Sequence, residues 1–206
     1  MSLGPLHPRS HELFLGVPGS GKTTHARGRL GSVRRAVFFD PTGHDYEGEG
    51  EQVSPGDITP ELLAGSFRRF VVMPGDDVAW DFVATVERVR AAAAETGPLV
   101  FLADEVGDYS ASAADTLTRL HRNGHHDGVA SVLVSQCAVD IPKTCRRTAT
   151  RVCSLLQTAS ADLDALETEY GRDFAERVRS WRPGDAPAVW TLPTLYPPSH
   201  PPQAKE

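Results

Sequence analysis

Gly16-Val17-Pro18-Gly19-Ser20-Gly21-Lys22-Thr23 directly follows the apolar stretch Leu13-Phe14-Leu15, and this junction decides the fold. The spacing is G-x-x-x-x-G-K-[ST] in full, with a strand expected before it and a helix after it. Glycines in such a loop let several backbone N–H groups converge on one phosphate, and the following helix adds the positive end of its dipole. The motif predicts a nucleotide site contacted by Gly16, Pro18, Gly19, Ser20, Gly21, Lys22, Thr23 and Thr24. Lys22 is the residue expected to reach the β- and γ-phosphates of ATP, and Thr23 is a candidate ligand for Mg²⁺.

Outward from the loop, strand-like and helix-like runs alternate. Ala36 to Phe39, Phe70 to Met73, Leu99 to Ala103 and Val129 to Ser135 are short continuous apolar runs, the pattern of strands buried on both faces. Phe82, Val83, Val86, Val89 and Ala93 follow helical spacing, and Gly97-Pro98 stops that helix. Thr59-Pro60 starts a short helix over 60–66, and a further helix over 111–123 ends at Gly124. Val152 to Leu156 reads as another strand, followed by two short amphipathic helices broken at Gly171, and Ala188 to Leu192 closes the sheet edge. The Gly-, Pro- and acid-rich stretch 41–58 reads as a solvated loop, and the basic segment after Gln136 as a turn. Such alternation implies an α/β fold, a mainly parallel central sheet with helices on both faces. Residues 1–10 read as a flexible arm, 11–192 as one P-loop domain, and 193–206, with five prolines, as an extended tail.

A chain of 206 residues that is 40% hydrophobic can bury one sizeable core. Its net charge of −6 means that any nucleic-acid contact has to come from local basic elements. Cys137, Cys145 and Cys153 form no C-x-x-C pair, and no charged-then-apolar leader precedes the first strand, so the chain reads as reduced and intracellular. No apolar run approaches the ~20 residues of a membrane helix.

The strand Leu99 to Ala103 delivers Asp104 and Glu105 at its C-terminal end, where doubly wound sheets bind ligands. Asp104 is expected to hold Mg²⁺, and Glu105 to orient and deprotonate the attacking water. The strand Val129 to Ser135 ends at Gln136, which can sense the γ-phosphate if that strand lies beside the phosphate-loop strand. Basic residues cluster at Arg119, His121, Arg122, His125 and His126, and again at Lys143, Arg146, Arg147 and Arg151. Either cluster suits an arginine supplied to a neighbouring subunit, phosphate contacts to DNA, or a merely solvated face. His121 and His125 have the i,i+4 spacing of a zinc pair, but no acidic residue lies between them.

The order of parts resembles the FtsK–HerA superfamily of P-loop motors: the phosphate loop, Phe39-Asp40 with Tyr46 downstream, Ala103-Asp104-Glu105, Gly124-His125-His126-Asp127-Gly128-Val129, Ser135-Gln136, and Asp140-Ile141-Pro142 before a basic segment. The compact size resembles the genome-packaging ATPases of tailless, internal-membrane icosahedral DNA viruses. The resemblance covers about residues 12–190 and implies a RecA-like fold of the ASCE type and Mg²⁺-ATP hydrolysis. It further implies a homo-oligomeric ring, a pentamer or hexamer, that translocates double-stranded DNA, with a capsid or membrane-protein vertex as partner and a place in the host cytoplasm or on the virion. Glu105 takes the position of the family's catalytic glutamate and Gln136 that of its sensor. Relatives often carry Gly-Arg-His where this chain has Gly124-His125-His126, which leaves Arg122, Arg119 and Arg147 as candidates for the trans-acting arginine. Two other readings remain open, a nucleotide kinase of the adenylate-kinase type and a cellular HerA-like translocase. The absence of an Asn-Lys-x-Asp motif disfavours a GTPase.

Overall fold

Eight strands form one continuous sheet in the computed structural model, which describes Leu6 and residues 10–192. The proline-rich segment 193–206, and the N-terminal segment apart from Leu6 and Ser10, lie outside the described residues. In chain order the elements are β1 (His11–Leu15), α1 (Lys22–Leu30), β2 (Arg35–Phe39), β3 (Glu51–Val53), α2 (Pro60–Leu63) and β4 (Arg68–Val72), followed by α3 (Val78–Thr96), β5 (Leu99–Ala103) and α4 (Ala114–Asn123). The C-terminal part adds β6 (Val129–Ser135), α5 (Lys143–Thr148), β7 (Arg151–Ser154), α6 (Ser160–Tyr170), α7 (Arg172–Ser180) and β8 (Ala188–Thr191).

The strand order is β3-β4-β2-β5-β6-β1-β7-β8, parallel throughout except for the antiparallel pair β7–β8. All seven residues of β6 are buried, as are all five of β1 and of β5, which is why β5 reads as an unbroken apolar run and why the polar groups of β1 and β6, among them Glu12 and Ser131, need partners inside the protein. One face packs a large core that includes Phe39, Phe82, Leu117 and Leu166; the other packs Phe14, Leu30, Phe38 and Tyr46, with Leu6 and Val33 at its margin.

Two stretches differ from their sequence reading. The region 41–58 is structured: it contains β3 and a 3₁₀ turn at Pro55–Asp57, and it carries Tyr46 into the core at 0% exposure. The cause is Asp40, whose buried carboxylate accepts the N–H groups of Thr42 and Gly43 on Oδ1 and of Tyr46 on Oδ2. These bonds fold the chain back until Tyr46 packs 5.2 Å from the Phe38 ring. The basic segment is helix α5, not a turn, anchored by Arg146, whose guanidinium donates to the carbonyls of Ala138 and Ile141. His121 packs inward, and its Nδ1 and that of His11 both lie within hydrogen-bond distance of Ser131 Oγ.

A buried ion pair fixes α1 to the sheet. Arg29 Nε and Nη2 grip the Glu12 carboxylate at 2.9 and 2.7 Å, with both side chains almost wholly removed from solvent. Replacing Glu12 with Ala leaves a buried guanidinium charge without its carboxylate, at a cost of about 3–5 kcal/mol. Urea unfolding is expected to show that loss, whereas the double replacement Glu12→Met with Arg29→Leu, which removes both charges, is expected to cost far less.

Candidate functional site

Parallel pairing brings the C-terminal ends of β1, β6 and β5 side by side, with β6 hydrogen-bonded to both. The loop from Gly16 to Gly21 sits directly on this edge. Gly16 N donates to Ser135 O at the end of β6, and Val17 N donates to Leu156 O beyond β7. At Gly16 a Cβ would meet Ser20 Oγ and stand 3.2 Å from Leu155 Cβ, so a side chain there would displace the Ser20 hydroxyl from the loop. Gly21, with φ at 91°, is left-handed and turns the chain into α1. Ser20 Oγ is buried without a hydrogen-bond partner among the described residues, a donor left over for an incoming oxygen. Thr24 is exposed on the first turn of α1.

Beneath the loop lies a chain of three side chains that are remote in sequence. Lys22 Nζ pairs with Glu105 Oε1 at 3.0 Å, and Gln136 Nε2 donates to Glu105 Oε2 at 3.0 Å. Buried Gln157 in turn donates to the carbonyl of Gln136 at 2.9 Å. Glu105 is the one non-glycine residue with positive φ among those described, at 45°. Its N–H caps Asp104 Oδ1 at 2.7 Å, and Tyr109 Oη donates to the Asp104 carbonyl at 2.9 Å. A left-handed non-glycine residue is costly, and such conformations concentrate where a side chain must be aimed.

Asp104 is fully buried, and Thr23 Oγ1 donates to its Oδ2 at 3.4 Å. Burial pushes its carboxyl up to about 6, against the opposing bond from the Glu105 N–H. Burial first, and then the neighbouring Asp104 carboxylate, hold the Tyr46 phenol well above its ordinary value. Thr23 and Asp104 offer oxygen donors, the chemistry that suits Mg²⁺ with retained waters.

Beside the loop a cavity of about 480 Å³ is lined by Pro18, Gly19, Ser20, His25, Leu156, Trp181 and Asp185. The amphipathic pattern that marks the two helices around Gly171 gives no role to Trp181 or to the turn after it. Because α7 runs back toward the phosphate-loop edge, it delivers that turn, and Trp181 Nε1 donates to Asp185 O at 3.2 Å to close it. The Pro183-Gly184 step was the available signal for a turn, but nothing local says which edge it reaches.

The candidate arginines lie elsewhere. Arg119 and Arg122 are near the end of α4 and Arg147 near the end of α5, just ahead of the starts of β6 and β7, hence at the sheet edge opposite the phosphate loop. Arg119 pairs with Glu87 at 2.7 Å and Arg147 with Glu169 at 3.0 Å, while Arg122 is exposed. None of the three reaches Lys22 of its own chain.

The strand order is that of an α/β RecA-like P-loop fold, in which an additional strand, β6, lies between the phosphate-loop strand and the strand carrying the acidic pair. Among solved structures, the chain is similar to the genome-packaging NTPase B204 of Sulfolobus turreted icosahedral virus 2 in complex with sulfate, with TM-score 0.74 and 17% identity over 92% of this chain and 94% of that one. The complex of the same protein with AMPPCP gives TM-score 0.74 at 17% identity, covering 91% and 95%. The cytoplasmic domain of the Thermomonospora curvata type VII secretion ATPase EccC gives TM-score 0.59 at 14% identity over 89% of this chain and 24% of that one. At these identities the likeness is one of fold. No protein-family model matches the sequence, and no curated protein does.

The raised Asp104 carboxyl gives a prediction with a definite sign. Burial disfavours its ionised form, so its contribution to stability is present below the ordinary carboxylate range and lost as pH rises through about 6. Asp104→Asn is therefore expected to raise the melting temperature of the nucleotide-free chain at pH 7.5, with the gain fading below about pH 4. Nucleotide binding in the presence of Mg²⁺ is expected to weaken in the unaltered chain as pH falls from 7.5 to 5.5 and to be weak and pH-insensitive in the variant. Thermal melts and fluorescent-nucleotide titrations check both.

Proposed function

We propose that the chain is a Mg²⁺-dependent ATPase that translocates double-stranded DNA as a homo-oligomeric ring of five or six copies, packaging a viral genome into a preformed capsid. The observation that carries this reading is the Lys22–Glu105–Gln136 chain set against the phosphate loop. A phosphate arriving in the loop takes Lys22 as its counter-charge, which releases Glu105 from the ammonium. Held by Gln136, Glu105 then has a free oxygen to orient a water and accept its proton, and Gln136 carries the change at the γ-phosphate back to β6. Thr23 and Asp104 would hold Mg²⁺, which supplies charge neutralisation of the β- and γ-phosphates. The cavity walled by Trp181 has room for the nucleoside half of ATP.

Assembly is supported by exposed apolar side chains. Met73, Trp80 and Val139, at 38, 70 and 46% exposure, stand in the segments that follow β4 and β6 or open α3, on the same edge as the nucleotide site. That is the edge to which a neighbouring copy would bring Arg119, Arg122 or Arg147, since each lies too far away to serve its own chain. Head-to-tail contacts of this kind form a ring when the rotation between copies closes. No helix among the described residues is long and apolar enough to cross a membrane. The reading places the protein in the host cytoplasm, with a capsid or membrane-protein vertex as its docking partner and association with the virion.

ATP hydrolysis is expected to rise several-fold when linear double-stranded DNA is added. Lys22→Ala should lose nucleotide binding or turnover, while Glu105→Gln should retain ATP but release phosphate at least about 100-fold more slowly. Brisk turnover by the Glu105→Gln protein, or phosphate transfer only to a nucleoside monophosphate, would overturn the reading. Trp80→Glu is expected to shift the protein toward monomers in sedimentation and to remove the DNA stimulation.

A further inference from the structure

The edge opposite the nucleotide site carries a basic cluster that neither run of arginines in the sequence reveals. Strands β2 and β4 pair in parallel with Arg35 opposite Arg68, and Arg68 N donates to Arg34 O at 2.9 Å. This register gathers Arg34, Arg35, Arg68 and Arg69 on one rim. Arg69 has a counter-charge, Glu49. The other three have no carboxylate within ion-pair distance among the described residues. Arg35 donates to neutral oxygens only, the carbonyls of Leu63, Thr96 and Pro98 and the Thr96 hydroxyl. Arg68 donates to the carbonyls of Ala64 and Phe67, and Arg34 is exposed. Partial burial without a counter-charge lowers the Arg35 guanidinium from its ordinary value.

Between these residues a cavity of about 290 Å³ opens on the rim, lined by Ser32, Arg34, Arg35 and Ser66 above an apolar floor that includes Leu99 and Ala130. The Arg35 Nη groups are spent on Leu63, Thr96 and Pro98, so the exposed Arg34 guanidinium and the Ser32 and Ser66 hydroxyls are the donors this opening offers to a phosphate diester. The larger neighbouring cavity of about 820 Å³ shares Ser32 and includes Arg68, but Glu49, Glu51 and Glu61 line it too, so its interior is not an anion site and Arg68 contributes from its exposed rim. Outside the phosphate loop, the nucleotide edge is unsuitable for an extended DNA backbone, since Asp45, Asp76, Asp77, Asp108 and Asp140 stand in its loops.

We infer that the rim formed by Ser32, Arg34, Ser66 and Arg68, held in place by Arg35, is a contact surface for the phosphate backbone of double-stranded DNA. This rests on the translocase reading above. A guanidinium without a carboxylate gains most from a phosphate, because no existing ion pair must be broken to form the new one. The contact would be sequence-independent, since these groups reach backbone oxygens and not base edges.

The test measures binding of a fluorescent 40-base-pair duplex across a salt series, using the full chain and its Arg34→Glu/Arg68→Glu variant, which leaves Arg35 and its structural bonds in place. The variant is expected to bind DNA about tenfold or more weakly, with the slope of log affinity against log salt reduced by roughly 2. Its nucleotide affinity and DNA-free ATP hydrolysis should be unchanged, which shows that it is folded. Arg177→Glu/Arg179→Glu, on the exposed face of α7, is the charge-matched control and should bind nearly as the unaltered chain does. Equal affinity and slope in the rim variant and the unaltered chain would overturn the site while leaving the translocase reading intact. Equal losses in the rim and α7 variants would overturn it too, reducing the effect to net charge. Failure of the unaltered chain to bind duplex at all would overturn the translocase reading, and the site with it.

Discussion

Everything at the nucleotide site depends on the parallel register that ends β1, β6 and β5 at one edge. Each strand contributes one element there: the phosphate loop after Leu15, Gln136 after Ser135, and Asp104 with Glu105 after Ala103. Because β6 is hydrogen-bonded on both sides, a shift of one residue in either pairing would rotate its side chains to the opposite face. The burial of both faces resists that shift, since such a slip would exchange the residues facing the two cores.

Upon that frame the electrostatics are arranged in opposition. Lys22 is buried, and in the nucleotide-free chain its charge is met by Glu105. Asp104, one residue earlier, has no such partner and is pushed toward neutrality. Two adjacent carboxylates thus take different states from their surroundings, one paired and aimed by a left-handed backbone, the other desolvated beneath Tyr46. A divalent cation would change the balance for Asp104, and a phosphate would change it for Lys22. A ligand that met either group would thus shift a balance already present in the fold.

Much of this was legible in the chain. The phosphate loop, the strand ending in Asp104-Glu105 and the strand ending in Gln136 are local patterns, and a short apolar run between turn residues reports its own burial. The stretch 41–58 was misleading because its acidic and glycine content suggests solvation, whereas one buried carboxylate, Asp40, organises it around Tyr46. Helix α5 was hidden because its sequence is basic rather than amphipathic, its stability coming from Arg146 bonds to carbonyls outside the helix.

What the sequence by itself determined is the chemistry available: a loop able to surround a phosphate, two carboxylates at a strand end and an amide at another. These follow from backbone conformations set within a few residues, so neighbours in the chain suffice to specify them. Only the tertiary structure decided which groups meet. Lys22 and Glu105 are 83 residues apart, Trp181 returns to the phosphate loop along α7, and Arg34 joins Arg68 through the register of β2 with β4. Strand order sets these meetings, and it arises from the packing of whole faces, which periodicity along one segment does not encode.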